Sequence, residues 1–358
     1  MSTPSSLQMV GSKALGGAER WFVRFGTALA ERGAPAELAI RAGSQLDRVD
    51  LPSLPVHRLP FLTVWDPVSR GAVARLIRRL KPEIVQTYMG RATRLARLPP
   101  GSAPVHIARL GGYYALHPYR RAHAWIGNTK GLCDWLVKNG LPAARVFHIY
   151  NFVDRPHPVS TDVLAALRAE LAVPTDAWIL MTPGRFVPVK GHKHLLEALA
   201  RLPAQIAGRP VRLLLLGDGP LGRRLHEQAN AAAIADRVVW TGWRTDPGPF
   251  YQLSDLVVFP SLEAETLGNV ILEAWSWSRP LVTSLFRGAR EIARHGDDAW
   301  CVPCADSMAL ARGIEAMLRE PVLSADMAER GHRRVQSEFG RGPIMDQYLD
   351  LYEHLTGG

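Results

Sequence analysis

A chain of 358 residues exceeds one ordinary core and predicts two domains of ~150–200 residues. Its 47% apolar and 21% charged residues describe a folded globular protein, and no apolar run reaches the ~18 residues of a membrane span. Three cysteines exclude a disulfide framework, and the net charge of +10 points to an anionic partner.

That charge is uneven. Residues 1–155 hold 22 Lys and Arg against 9 Asp and Glu, a surplus of 13, while the remainder is slightly acidic. The first half is a basic platform, or else carries solubilising arginines. The opening MSTPSSLQMV has neither a basic nor an apolar leader region, so export is not expected.

LQMV opens a series of short apolar runs, continued by AELAI, EIVQTY, VHIAR, AWIG and VFHIY, each read as a strand. Between the first two, SKALGGAER places Gly16 and Gly17 at a strand-to-helix turn, where backbone can approach a ligand or simply turn tightly. The segment 21–33 is an amphipathic helix with Trp21, Phe25, Ala28 and Leu29 on one face and Gly33 as its stop. The segments 70–82 and 90–98 are rich in arginine. Val73, Leu76, Ile77 and Leu80 share a face of the first, and that face is expected to belong to the core.

NFVDRPHPVST, 151–161, breaks the pattern and is read as a linker. A second series follows: WILMT, VRLLLLG, VVWTG, LVVFP, PLVT and AWCVP, separated by helical stretches and closed by an amphipathic helix over 343–355. Alternation of this kind predicts parallel sheets in two doubly wound domains, with ligands at the carboxyl ends of the strands. The boundaries are set at 1–155 and 156–339, with 340–358 packing back on the first domain.

TPGRFVPVKGHKHLLEAL follows the first strand of the second series. Gly184 allows a sharp turn, and Arg185 and Lys190 flank a short loop suited to phosphate; as isolated features they are equally two solvated cations. Neither this loop nor GDGPLG has Walker A or dinucleotide-fingerprint spacing. CVPC at 301–304 lacks a second metal-ligand pair and is read as structural.

In PSLEAETLGNVILEAWS, Glu265 falls on a strand-to-helix loop and Glu273 about a turn inside the helix. Gly268, Asn269 and Val270 fall at the helix start, whose amides attract anions. A carboxylate on each side of an anion site suits a ligand that is both phosphate and polyol. Without other support the pair reads as a surface loop.

The order GGAER, NTKGLCDWL, IYNFVD, GRFVPVKG, GDGP, TGWR and E-x7-E resembles glycosyltransferase family 4 over nearly the whole chain. Its specific part is GRFVPVKG followed by ETLGNVILE. Within the family the chain is most similar to bacterial enzymes of lipopolysaccharide and envelope-glycan synthesis. The resemblance implies the α/β GT-B fold, two Rossmann-like domains facing each other across a cleft. It also implies retaining transfer from a nucleoside diphosphate sugar, with a UDP-sugar expected, to a saccharide or lipid-linked acceptor.

Carried over by position, Arg185 and Lys190 hold the diphosphate with the amides of Gly268, Asn269 and Val270. Gly184 lets backbone come close, Glu273 binds ribose and Glu265 the donor sugar; Arg185, Lys190 and Glu265 are the catalytic candidates. Many members carry a histidine where Leu110 stands here, so the first-domain contact is left to Gly16, Gly17 and Arg109. No D-x-D metal site is present in the sequence, and no metal or cofactor is expected. Expected surroundings are the cytoplasm and the anionic inner face of a membrane. Two rival readings are a different sugar-nucleotide enzyme, such as an epimerase or phosphorylase, and a basic nucleic-acid binder. No nucleic-acid-binding signature accompanies the charge, so no nucleic acid is expected as a partner.

Overall fold

The alternating runs resolve into two parallel sheets. The structure is a computed structural model that describes residues 3–99 and 103–357. It divides into two compact units, one formed by the chain up to Asn151 together with the stretch from Arg341, the other by Phe152–Gly340. No helix among the described residues is long and apolar enough to cross a membrane.

In the first unit, β1 (Ser6–Val10), β2 (Ala36–Arg41), β3 (Val56–Leu59), β4 (Ile84–Tyr88), β5 (Val105–Leu110), β6 (Ala124–Gly127) and β7 (Val146–His148) lie in the order β3-β2-β1-β4-β5-β6-β7. Every residue of β1 and β4 is buried, as expected where helices cover both faces of a parallel sheet. The helix Gly17–Glu31 buries Trp21, Phe22, Phe25, Ala28 and Leu29, and Gly33 beyond its end has φ +64°. The terminal helix Arg341–Thr356 belongs to this unit; its Tyr348 ring centre lies 4.5 Å from that of Phe25.

Two glutamines inside this sheet are satisfied by a closed network. Gln86 Nε2 donates to Tyr88 Oη (2.6 Å), Tyr88 Oη to Gln8 Oε1 (3.0 Å), Gln8 Nε2 to Tyr352 Oη (3.1 Å) and Tyr352 Oη to Gln86 Oε1 (3.0 Å). The network fixes the register of the terminal helix, because shifting Tyr352 would strand buried amides.

The helix Pro67–Leu80 starts at Asp66, whose carboxylate accepts from the amides of Val68 (3.2 Å) and Ser69 (2.8 Å). Val73, Leu76 and Ile77 are buried while Arg75, Arg78 and Arg79 are exposed, so its apolar face does belong to the core.

In the second unit, β8 (Trp178–Pro183), β10 (Arg209–Leu216), β11 (Val238–Gly242), β12 (Leu256–Phe259), β13 (Leu281–Ser284) and β14 (Trp300–Val302) lie in the order β11-β10-β8-β12-β13-β14. A two-residue β9 (Gln205–Ile206) pairs antiparallel with β10. Leu180, Leu213, Leu215, Val258 and Val282 sit in the core with Leu195, Leu199 and Ile314 from the covering helices. Cys301 and Cys304 are free, and burial pushes the Cys301 thiol up to about 12, which suits an inert structural role.

Both sheets reverse their winding once. The reversal falls between β1 and β4 in the first unit and between β8 and β12 in the second, the places where doubly wound folds leave a crevice.

Candidate functional site

The second unit's crevice is built where β8 and β12 pair, with Leu180 opposite Leu256 and Met181 opposite Val257. Both strands run in the same direction, so their following loops emerge side by side. After β8, Gly184 adopts φ +155° and its amide donates to Leu216 O at 2.8 Å; the Phe186 amide donates to Asp218 O at 2.9 Å. A side chain at Gly217 would collide with Gly184 O, and one at Gly219 would lie 2.7 Å from Phe186 O. The glycines of GDGP therefore serve to let this loop pack on the Arg185 loop.

A short turn over Pro188–Lys190 ends at Gly191, φ +68°, where a Cβ would strike the carbonyl oxygen of Pro260. The Leu262 amide donates to Val189 O at 2.7 Å. These two contacts bring the loop after β12 against the loop after β8. As a result Lys190 Nζ donates to Glu265 Oε2 at 2.7 Å, with the side chains only 22% and 16% exposed. Ser261 Oγ donates to the same carboxylate oxygen at 3.3 Å. Arg185 is exposed, at the far end of the same loop.

The helix Asn269–Ser276 begins beside this pair. Gly268 is its N-cap at φ +76°, with no side-chain cap and no acid in the first turn, so the positive end of the helix is not neutralised locally. A Cβ on Gly268 would lie 2.5 Å from Phe286 Cζ and 2.8 Å from Phe259 Cε1. Only glycine fits, on both dihedral and steric grounds. Glu273, half-buried one turn further on, accepts from Tyr251 Oη at 2.8 Å.

The sequence reasoning gave no role to Tyr251 or His192. Tyr251 is buried on the helix Gly248–Leu253, its ring parallel to that of Trp277. His192 is buried at the start of the helix His192–Arg201, edge-on to Phe186 at 4.9 Å. Neither of its ring nitrogens has a hydrogen-bond partner among the described residues. Burial, and then the Lys190 charge, pull its imidazole down to about 4, so it is neutral at pH 7. The K-G-H order adjacent to Lys190 was the available signal for it.

In the first unit, Gly16 precedes the helix Gly17–Glu31 and its amide donates to the buried Glu19 carboxylate at 2.8 Å. A Cβ on Gly17 would meet nothing within 4 Å, so internal packing does not demand glycine there. Arg109 lies deeper than a ligand contact would suggest. It is 4% exposed, donates to Asn151 Oδ1, and has its guanidinium 4.7 Å from the Trp21 ring centre. The structure thus gathers Gly184, Lys190, Glu265, Gly268 and its helix start in one crevice, while Arg109 is built into its unit's interior.

Residues 165–334 match the family model of group 1 glycosyl transferases, and residues 15–155 that of Glycosyltransferase Family 4. The lipopolysaccharide core biosynthesis glycosyltransferase LpsE of Rhizobium meliloti (strain 1021) is 34% identical over 94% of this chain and 95% of its own. LpsD of the same organism is 30% identical over the same shares. Among solved structures, Anabaena HepE in complex with UDP and glucose has a TM-score of 0.83 at 21% identity, covering 98% of this chain and 100% of that one. WaaG, a glycosyltransferase involved in lipopolysaccharide biosynthesis, has a TM-score of 0.71 at 16% identity, covering 99% and 100%. The fold is GT-B, two Rossmann-like domains each with a parallel sheet.

Proposed function

We propose that this chain, which belongs to the group 1 and family 4 glycosyltransferases, moves a sugar from a UDP-sugar to a saccharide or lipid-linked acceptor in lipopolysaccharide core or related envelope-glycan synthesis. The observation that carries the reading is the meeting of Lys190, Glu265 and an uncapped helix start at the winding reversal of the second sheet. The names of LpsE and LpsD support the pathway, and the UDP bound in HepE supports the base of the donor.

In this reading Arg185 and Lys190 hold the diphosphate, and the amides of Gly268, Asn269 and Val270 add donors where the helix dipole favours an anion. Gly184 keeps the backbone beside the phosphates free of a side chain. Glu273, oriented by Tyr251, takes the ribose hydroxyls. Glu265 takes hydroxyls of the donor sugar with the lone pairs that Lys190 and Ser261 leave over. Lys190 has three N–H donors, so it can serve Glu265 and a phosphate oxygen together.

Transfer breaks the bond between the anomeric carbon and the diphosphate oxygen. The acceptor hydroxyl oxygen forms its bond on the same face, its proton passes to the departing phosphate, and the configuration is retained. Charge grows on the diphosphate and the sugar becomes oxocarbenium-like, so fixed cations and amides at the phosphate stabilise the transition state more than the ground state. Arg185, Lys190 and the helix start supply this charge without a metal ion.

The first unit takes the acceptor. Gly17 has room where a ligand can meet bare backbone, next to Gly16. Arg109 acts through Asn151 and Trp21 rather than by touching sugar. The exposed Arg75, Arg78, Arg79 and Lys81 rest on the anionic inner face of a membrane from the cytoplasmic side, each worth up to about 1 kcal/mol near such a surface.

The test is the anomeric configuration of the product, read by NMR after incubation with UDP-, GDP- and ADP-sugars and a panel of saccharide and lipid-linked acceptors. An α-linked product from an α-linked UDP-sugar is expected. A β-linked product would overturn retention, and epimerised or merely hydrolysed sugar nucleotide would favour the rival sugar-nucleotide enzyme.

A further inference from the structure

The connections that follow β3, β4 and β5 bring together cations that form no ion pair among the described residues. Trp65, on the loop after β3, is 63% exposed, with Leu62 and Val68 exposed around it. Arg94, on the helix Met89–Leu95 that follows β4, lays its guanidinium 3.6 Å from the Trp65 ring centre. Its Nη1 is hydrogen-bonded to His117 on the loop after β5. Desolvation, and then the nearby charges of Arg70, Arg121 and Arg94, lower the pKa of Arg97.

None of Arg70, Arg94, Arg97 and Arg121 pairs with a carboxylate among the described residues. The nearby Asp66 is committed, because both its oxygens accept from the start of its helix. The Nε atoms of Arg70 and Arg94 are buried without an acceptor. Buried donors left unmet cost free energy that an anion bound here would recover, while the exposed Arg97 and Arg121 add a positive field at the surface. Guanidinium forks suit an oxyanion such as a phosphate or a carboxylate. The exposed indole, held in place by Arg94 on one side, offers a flat π face on which the apolar C–H side of a sugar ring can stack.

We propose that this cluster is an anion subsite for the acceptor: Trp65 stacks on a sugar ring while Arg70, Arg94, Arg97 and Arg121 hold that saccharide's phosphate or carboxylate. The proposal rests on the reading that the first unit takes the acceptor, and it deepens it by naming the acceptor chemistry, a saccharide bearing an oxyanion. Trp65 and the helix that bears Arg94 follow the carboxyl ends of β3 and β4, the edge that also carries Gly16 and Gly17, while Arg97 lies beyond that helix and Arg121 just before β6.

The experiment follows the indole N–H signal of Trp65 in the full chain by NMR, assigned by its loss in Trp65→Phe. The probes are a phosphorylated maltotriose, trigalacturonate, uncharged maltotriose, and vesicles of phosphatidylglycerol or phosphatidylcholine, with UDP titrated separately. A charged trisaccharide should shift the signal at concentrations at least about tenfold below maltotriose. Arg97→Ala with Arg121→Ala should remove that preference while the UDP-induced shifts elsewhere persist. Which charged sugar acts at lower concentration distinguishes phosphate from carboxylate. Equal responses to charged and neutral sugar, or no response of Trp65 to any sugar, would overturn the proposal. So would a response to phosphatidylglycerol vesicles alone, which would make the patch a membrane face. A failure of UDP to shift any signal would count against the donor reading of the second unit, and leave the subsite to be judged on the saccharide arms.

Discussion

Lys190 and Glu265 stand 75 positions apart in the chain and 2.7 Å apart in space. Adjacent parallel strands deliver their loops to one edge, and Gly191 allows the loops to touch through backbone. Because both side chains are mostly buried, removing one partner leaves the other in an unfavourable setting. Lys190→Met and Glu265→Gln should each lower stability, and the double variant should lose less than their sum. A double-mutant cycle by urea unfolding should give a coupling of about 1–2 kcal/mol.

Gly268→Ala should destabilise by about 1–3 kcal/mol, since its Cβ meets two aromatic rings at a backbone dihedral that alanine resists. Gly191→Ala should be worse, because its obstacle is the rigid Pro260 carbonyl and not a side chain. Gly17→Ala is the contrasting case. Its open surroundings predict near-unchanged melting, with any loss confined to transfer kinetics.

Tyr251→Phe removes the hydroxyl that orients Glu273 and keeps the ring against Trp277. One hydrogen bond of this kind is worth about 1 kcal/mol, so UDP affinity should fall by about fivefold with little change in melting temperature. A large stability loss with unchanged affinity would place Tyr251 outside the donor site.

Acid should weaken the fold through two buried histidines. Burial, and then the neighbouring His123, pull His106 down to about 3, and His192 is pulled down to about 4, both from an ordinary 6.5. The unfolded chain therefore binds protons that the folded chain refuses, and stability falls as pH drops from 6.5 toward those values. For His192 the full effect is roughly 3 kcal/mol. Urea unfolding at pH 7.5 and 5.0 should show a smaller pH difference in His192→Gln than in the unsubstituted chain.

Much of this architecture was legible because buried parallel strands are continuous apolar runs, as in LQMV and VRLLLLG. β3 was not, because VHRL is a half-exposed edge strand whose His57 and Arg58 bond to Glu37 and Asp47. Periodicity cannot reveal it. The crevice residues were legible by their order, Lys190 before Glu265 before Glu273, but their pairings were not. Tyr251 reaches Glu273 across 22 positions, and the Gln8, Gln86, Tyr88 and Tyr352 network joins opposite ends of the chain. The burial of Arg109 was not legible either. Arginine is rarely buried, and its enclosure depends on Asn151 and Trp21, distant in sequence.

The most direct test of the donor site is calorimetric titration of UDP, with EDTA present, into the unsubstituted chain and into Lys190→Ala and Glu273→Gln. The crevice as described predicts binding without a divalent ion. It predicts affinity reduced by about tenfold or more in each variant, since each removes a charged hydrogen-bonding group. Binding that appears only with Mg²⁺, or that is the same in all three proteins, would contradict it.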